Sequence, residues 1–166
     1  MATKSFIFHP SQEVEELMKG NLFQLTSRTF ETHHFVSDMQ NHAAGAYTSF
    51  EGWVRNHNEG KDVTSLEYEA YPDLASKEGC RILAEALEKF DIIDCRCIHR
   101  TGHLQIGEIA VWVGTTAKHR EEAFTACRYI IDEVKVRVPI WKKEHYADGD
   151  SGWVKCEQCA GHLHGH

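Results

Sequence analysis

The sequence predicts an α+β fold, a mainly antiparallel sheet with helices packed on one face. Three observations lead there. Segments with the strand period and the helix period follow one another as strand, strand, helix, strand, strand, helix. The 166 residues suit one domain of ordinary size with a proper core. With only three prolines and twelve glycines, no Pro/Gly-rich linker divides the chain.

The elements can be justified in order. Residues 11–19 (SQEVEELMK) read as a short amphipathic helix, opened by Ser11 after Pro10. Residues 28–36 (RTFETHHFV) read as an early strand. AGAYTSFEGWVR (44–55) is a strand rich in aromatic and small residues, and the NHNEGKD that follows carries turn chemistry. VTSLEYEAY (63–71) alternates in the strand period, so it is expected to pair with 44–55 as a hairpin. Pro72 opens a helix whose Leu74, Ile82, Leu83, Ala86, Leu87 and Phe90 fall mostly on one stripe. DIIDCRCIHRTG (91–102) and EIAVWVGTT (108–116) read as two further strands. A second helix is expected after Thr116, taken as its N-cap. Its apolar face carries Ala123, Cys127, Ile130, Ile131 and Val134, and Pro139 bounds it.

Composition narrows the function classes. The net charge of −7 argues against nucleic acid, whose binding rests on phosphate neutralisation. No apolar run approaches the ~18 residues of a membrane span, and the N-terminal stretch lacks the apolar core of a signal peptide. A cytoplasmic protein with reduced thiols is therefore expected. Cys80 and Cys127 fall in helical apolar patterns, and Cys95 and Cys97 share one strand face, so all four read as core thiols. Cys156 and Cys159 form a CxxC followed by His162, His164 and His166. Such ligands suit zinc, but a single terminal tail offers little enclosure, so adventitious binding is favoured over a dedicated metal site. Phosphate-loop, nucleophile-elbow and HExxH motifs are absent from the sequence.

Charge distribution is more telling than its sum. Lys118–Lys143 holds seven Lys/Arg and four acids, a net of +3 that leaves −10 for the rest of the chain. A basic segment in an acidic protein marks a local anion site. His119 and Arg120 lie in the first turn of the second helix, where free backbone N–H groups favour an anion. Lys135 lies in its last turn, and Lys142 and Lys143 follow the Pro139-Ile140-Trp141 break that folds them back over that end. Crowded cations favour a neutral lysine able to move protons. The alternative is a solvated helix face with cations complementing its dipole. Arg55, beside a glycine-bearing loop, can offer a bidentate fork to phosphate or carboxylate.

Three stretches, GAYTSFEGWVRNHNEGKDVTSLEYEAYP, IHRTGHLQIGEIAVWVGTTAKHREEAF and IDEVKVRVPIWKKEHYADGDSGWV, together resemble the MoaE family, the large catalytic subunits of molybdopterin synthase. They cover about residues 43–154 in the family's order. The resemblance implies an α/β-hammerhead-like fold over 28–154, with 1–27 an N-terminal extension and 155–166 a Cys/His-rich tail. It implies a sulfurtransferase of molybdenum cofactor biosynthesis that converts cyclic pyranopterin monophosphate into dithiolene-bearing molybdopterin. The sulfur arrives as a thiocarboxylate on the Gly-Gly terminus of a small ubiquitin-like partner of the MoaD type. A homodimer of large subunits within a heterotetramer is implied, and no cofactor or metal. Lys135 and Lys142 match the two catalytic lysines, Lys135 being the one expected to touch the partner's terminal carbonyl. Arg55, His119 and Arg120 match the phosphate-binding residues, and Trp53, Val54, Lys143 and Glu144 are expected to line the same pocket. Phe50 packs either against the pterin and tail or in the core. The tail after Trp153 departs from the family's pattern. A binding module that captures a Gly-Gly tail without chemistry, and a metal-handling protein using the Cys/His tail, are the competing readings.

Overall fold

Two sheets and three helices are found among the described residues, 11–12 and 20–156, of a computed structural model. Most of the helix expected over 11–19 and the tail beyond Cys156 lie outside the described residues. In chain order the elements are β1 (Phe23–Thr26), α1 (Thr32–Asp38), β2 (Ala46–Trp53), β3 (His57–Asn58), β4 (Lys61–Ala70), α2 (Pro72–Lys89), β5 (Ile92–Arg100), β6 (Gly102–Gln105), β7 (Ile109–Ala117), α3 (Arg120–Arg137), β8 (Ile140–Tyr146) and β9 (Gly149–Lys155). One sheet has the order β1-β5-β7-β2, with β1 parallel to β5 and the rest antiparallel. The other runs β3-β4-β8-β9, with β6 on the side of β4 away from β8.

The two long helices form as their apolar stripes require. Ile82, Leu83 and Ala86 of α2 and Ile130 and Val134 of α3 are buried against Cys95, Cys97, Val111 and Val113 of the first sheet. Pro72 occupies the first turn of α2, where its missing N–H is harmless. A Cβ on Gly79 would lie 2.2 Å from the Phe23 ring, so only glycine lets α2 approach β1 this closely. Arg137 ties α3 to α2 through Glu78 at 2.8 Å and Glu85 at 2.6 Å.

Three expectations are corrected. Residues 28–36 do not form a strand: β1 precedes them, inside the stretch read as an extension, and α1 occupies most of the interval. Phe35 and Met39 are spaced i, i+4, and they meet Trp112 and Ile98 on the sheet face opposite the long helices. The Phe35 and Trp112 rings are 5.5 Å apart. Second, 44–55 and 63–71 do not form a hairpin. β2 pairs with β7 along its whole length, and β4 pairs with β8, so the two belong to different sheets. Third, Thr116 is buried inside β7, and only Lys118 separates the strand's last residue, Ala117, from His119, which caps α3. Gly45 fits this corner, since a Cβ there would lie 2.4 Å from the Lys118 carbonyl oxygen.

Cys95, Cys97 and Cys127 are buried free thiols, Cys156 is buried, and Cys80 is half-buried. Burial pushes the Cys127 thiol up to about 11 and Cys97 higher still, so neither is a thiolate near neutral pH. No helix among the described residues is long and apolar enough to cross a membrane.

Candidate active site

Strand alternation sorts the basic residues at β8. Tyr68 of β4 pairs with Lys142, Leu66 with Glu144, and Glu67 with Lys143. Side chains alternate across a strand, so Leu66, Tyr68, Lys142 and Glu144 share the inner face. Lys142 Nζ lies 2.9 Å from Glu144 Oε1. The other carboxylate oxygen accepts a hydrogen bond from Asn58 Nδ2 at 2.9 Å and one from the Tyr146 hydroxyl. Burial pushes the Glu144 carboxyl up, but the hydrogen bonds from Lys142, Tyr146 and Asn58 outweigh it and hold it below its usual range. A buried carboxylate with three donors therefore fixes a cationic Lys142.

These residues form one wall of a pocket of about 80 Å³, closed by Trp53, Val54 and Arg55 where β2 ends and by His57 and Asn58 of β3. Val54 is buried and anchors the turn, its N–H donating to the Glu108 carbonyl at 3.0 Å. Arg55 is exposed and has no carboxylate within ion-pair distance among the described residues. Its guanidinium is available to an anion.

Lys135 reaches the same wall from the helix layer. Its ammonium lies 5.8 Å from the centroid of the Tyr68 ring, within the range of a cation–π contact. It forms no ion pair with a carboxylate among the described residues. The two lysines thus stand differently. Lys142 is clamped by a counter-charge, whereas Lys135 rests on a neutral aromatic face.

Not every expected residue joins them. Lys143 lies on the outer face of β8, 3.9 Å from Asp150 and over the Trp153 ring at 5.6 Å. His119 and Arg120 lie at the far end of the first sheet. Ala46 of β2 pairs with Ala117, whereas Trp53 pairs near Ile109. Seven strand steps of about 3.4 Å separate those ends by roughly 24 Å. His119 caps α3 with extended backbone and no side-chain hydrogen bond to the helix, which leaves the first-turn N–H groups open to an anion. Phe50 is 40% exposed on β2 and so is not a core aromatic.

Sequence reasoning missed Asn58, Tyr68 and Tyr146. Asn58 was visible only as turn chemistry, and its bond to Glu144 spans 86 positions. Tyr68 had a usable signal, because the strand alternation of 63–71 puts it on one face with Leu66.

The geometry can be set beside known proteins. The family model described as MoaE protein matches residues 25–137. The molybdopterin synthase catalytic subunit of Pyrococcus abyssi is 43% identical over 126 residues, which cover 76% of this chain and 84% of that protein. The crystal structure of molybdopterin synthase from Staphylococcus aureus superposes with a TM-score of 0.76 at 36% identity, over 80% of this chain and 96% of that one. A complex of subunits 1 and 2 of molybdopterin-converting factor from Helicobacter pylori shares the fold, with a TM-score of 0.64 at 20% identity over 78% and 88% of the two chains. The chain belongs to the MoaE family, the catalytic subunits of molybdopterin synthase.

Proposed function

We propose that this chain is a sulfurtransferase, acting in the cytoplasm. It moves sulfur from the C-terminal thiocarboxylate of a small ubiquitin-like subunit onto cyclic pyranopterin monophosphate. The observation that carries the reading is the meeting of Lys135 and Lys142 at Tyr68, beside Arg55, which has no carboxylate partner among the described residues. In the proposed reaction the thiocarboxylate sulfur adds to an oxygen-bearing side-chain carbon of the pterin, and that carbon's C–O bond breaks, the oxygen taking up protons and leaving as water. Water then cleaves the remaining bond to the partner's carbonyl, returning its tail as a carboxylate. Lys142, fixed as a cation by Glu144, attracts the anionic tail, and Lys135 exchanges protons with the reacting groups. Buried thiols have no part in it, since the sulfur is supplied by the partner. The solved Helicobacter complex of two such subunits supports a small-subunit partner.

The working form is a homodimer that carries a small subunit on each large one. A pocket of about 80 Å³ is small beside the roughly 300 Å³ of common ligand sites. His119 and Arg120 lie too far away to complete it within one protomer. β2 is an edge strand of eight residues that exposes Tyr47, Phe50 and Trp53, and such an edge invites pairing. Antiparallel pairing of two β2 edges about a two-fold axis brings His119 and Arg120 of one protomer to Arg55 of its partner. Together they hold the pterin phosphate, with Trp53, Val54 and Glu144 lining the pocket.

Subunit complementation tests this. Lys135→Ala and the double variant His119→Ala/Arg120→Ala are each expected to be inactive, and mixed dimers are expected to regain turnover through one intact site. Mixtures as inactive as their components, or a chain that sediments as a monomer, would contradict the shared site.

A further inference from the structure

His99 is 1% exposed on β5. Its Nδ1 lies 2.7 Å from the Arg100 carbonyl oxygen. A carbonyl can only accept, so Nδ1 carries the ring proton and Nε2 presents a lone pair. That Nε2 is enclosed and has no hydrogen-bond partner among the described residues. An orphaned buried acceptor calls for an explanation, and what surrounds it supplies one. The His99 ring meets Tyr68 edge to face, with centroids 4.9 Å apart and planes at 87°. The Tyr68 ring carries the Lys135 ammonium at 5.8 Å. Burial, reinforced by the charge on Lys135, drives His99 down to about 3. The imidazole therefore stays neutral and never competes with the lysine as a cation.

We infer that His99 is a positioning residue for Lys135: its ring holds the Tyr68 face on which the ammonium rests, and its Nε2 accepts an N–H of Lys135 when the pocket is filled. This rests on the reading of Lys135 as the proton-exchanging lysine. An amine that donates to an enclosed acceptor behind it is held with its remaining valences toward the pocket. A flexible four-carbon stem would not hold itself so. The arrangement accounts for both oddities at once: a polar ring sealed behind the site, and its one unused nitrogen.

Two variants separate the ring from the acceptor. His99→Phe keeps a ring against Tyr68 and removes the nitrogen, whereas His99→Gln keeps an acceptor near the place of Nε2. Turnover is measured with the thiocarboxylated small subunit and cyclic pyranopterin monophosphate. His99→Phe is expected to lower kcat by roughly ten- to a hundred-fold, with KM for the pterin and binding of the small subunit unchanged. His99→Gln is expected to recover most of the loss. Wild-type kcat in His99→Phe, or a His99→Gln as impaired as His99→Phe, would overturn the assignment.

A second measurement needs neither variant nor turnover. The ¹⁵N signal of His99 Nε2 is followed in the wild-type protein, alone and with the small subunit bearing an ordinary carboxylate terminus. It is expected to move upfield as the nitrogen gains a donor; an unmoved signal would refute the contact. A wild-type protein that binds but does not turn over would speak against the proposed reaction, and the nitrogen signal would still decide for or against His99.

Discussion

Replacing Glu144 by glutamine removes the counter-charge of Lys142 while keeping size and shape. Glu144 is 6% exposed, and its side chain accepts from Lys142 at 2.9 Å, from Asn58 at 2.9 Å and from the Tyr146 hydroxyl. Glutamine can still accept from Asn58, but it cannot neutralise the ammonium or satisfy every donor. One charge-assisted hydrogen bond is worth about 1.5–3 kcal/mol. For a chain of this size that corresponds to a fall in Tm of roughly 3–12 °C. Its pH dependence follows from the sign of the shift. The folded carboxyl lies below its ordinary 4.5, so its contribution is complete above that value and is lost as pH falls through the folded pKa. Thermal melts of parent and Glu144→Gln should therefore differ at pH 7 and converge in acid, with turnover lost in the variant. Equal melting at pH 7, or a gap that persists below the carboxylate range, would refute the clamp.

Two further outcomes follow from other parts of the fold. Gly79→Ala drives a methyl group into the Phe23 ring, which a Cβ would meet at 2.2 Å; overpacking of this kind should lower stability by about 1–3 kcal/mol in a denaturant titration. On the outer face of the second sheet, the His145 ring bonds Asp150 at 2.8 Å and Glu67 at 3.3 Å. The Asp150 bond chiefly, with Glu67, holds His145 above its ordinary 6.5, so its contribution is complete below that value and fades as pH rises through the folded pKa. His145→Gln should then lower Tm near ~pH 6 and leave it unchanged near ~pH 9; a loss equal at both would show that the charge is not what matters.

Local signals carried most of the elements and few of their pairings. Pro72 and the stripe from Ile82 to Ala86 marked α2, and Ile130 and Val134 marked α3, because a helix writes its buried face into a short window. Strand pairing is decided at long range. Nothing within 44–71 records that β2 will pair with β7 and β4 with β8. Residues 28–36 misled because Thr29, Thr32, Phe35 and Val36 carry strand propensity, which the contact of Phe35 and Met39 with Trp112 overrides. Within the site, charge bias picked out Lys135 and Lys142, and a place beside a glycine-bearing loop picked out Arg55, whereas the bonds that tell the two lysines apart were invisible. Asn58, Tyr146 and Glu144 meet only once β3 and β8 flank β4. The same alternation that turns Lys142 inward sends Lys143 to the other face, a consequence of neighbours in sequence being opposites in a strand.

The most direct test of the account mixes this chain with a thiocarboxylated small ubiquitin-like subunit and cyclic pyranopterin monophosphate and measures the dithiolene product. The wild-type chain should form it, and Lys135→Ala should bind the small subunit yet form none. Absence of product from the wild-type chain, or full turnover in Lys135→Ala, would contradict it.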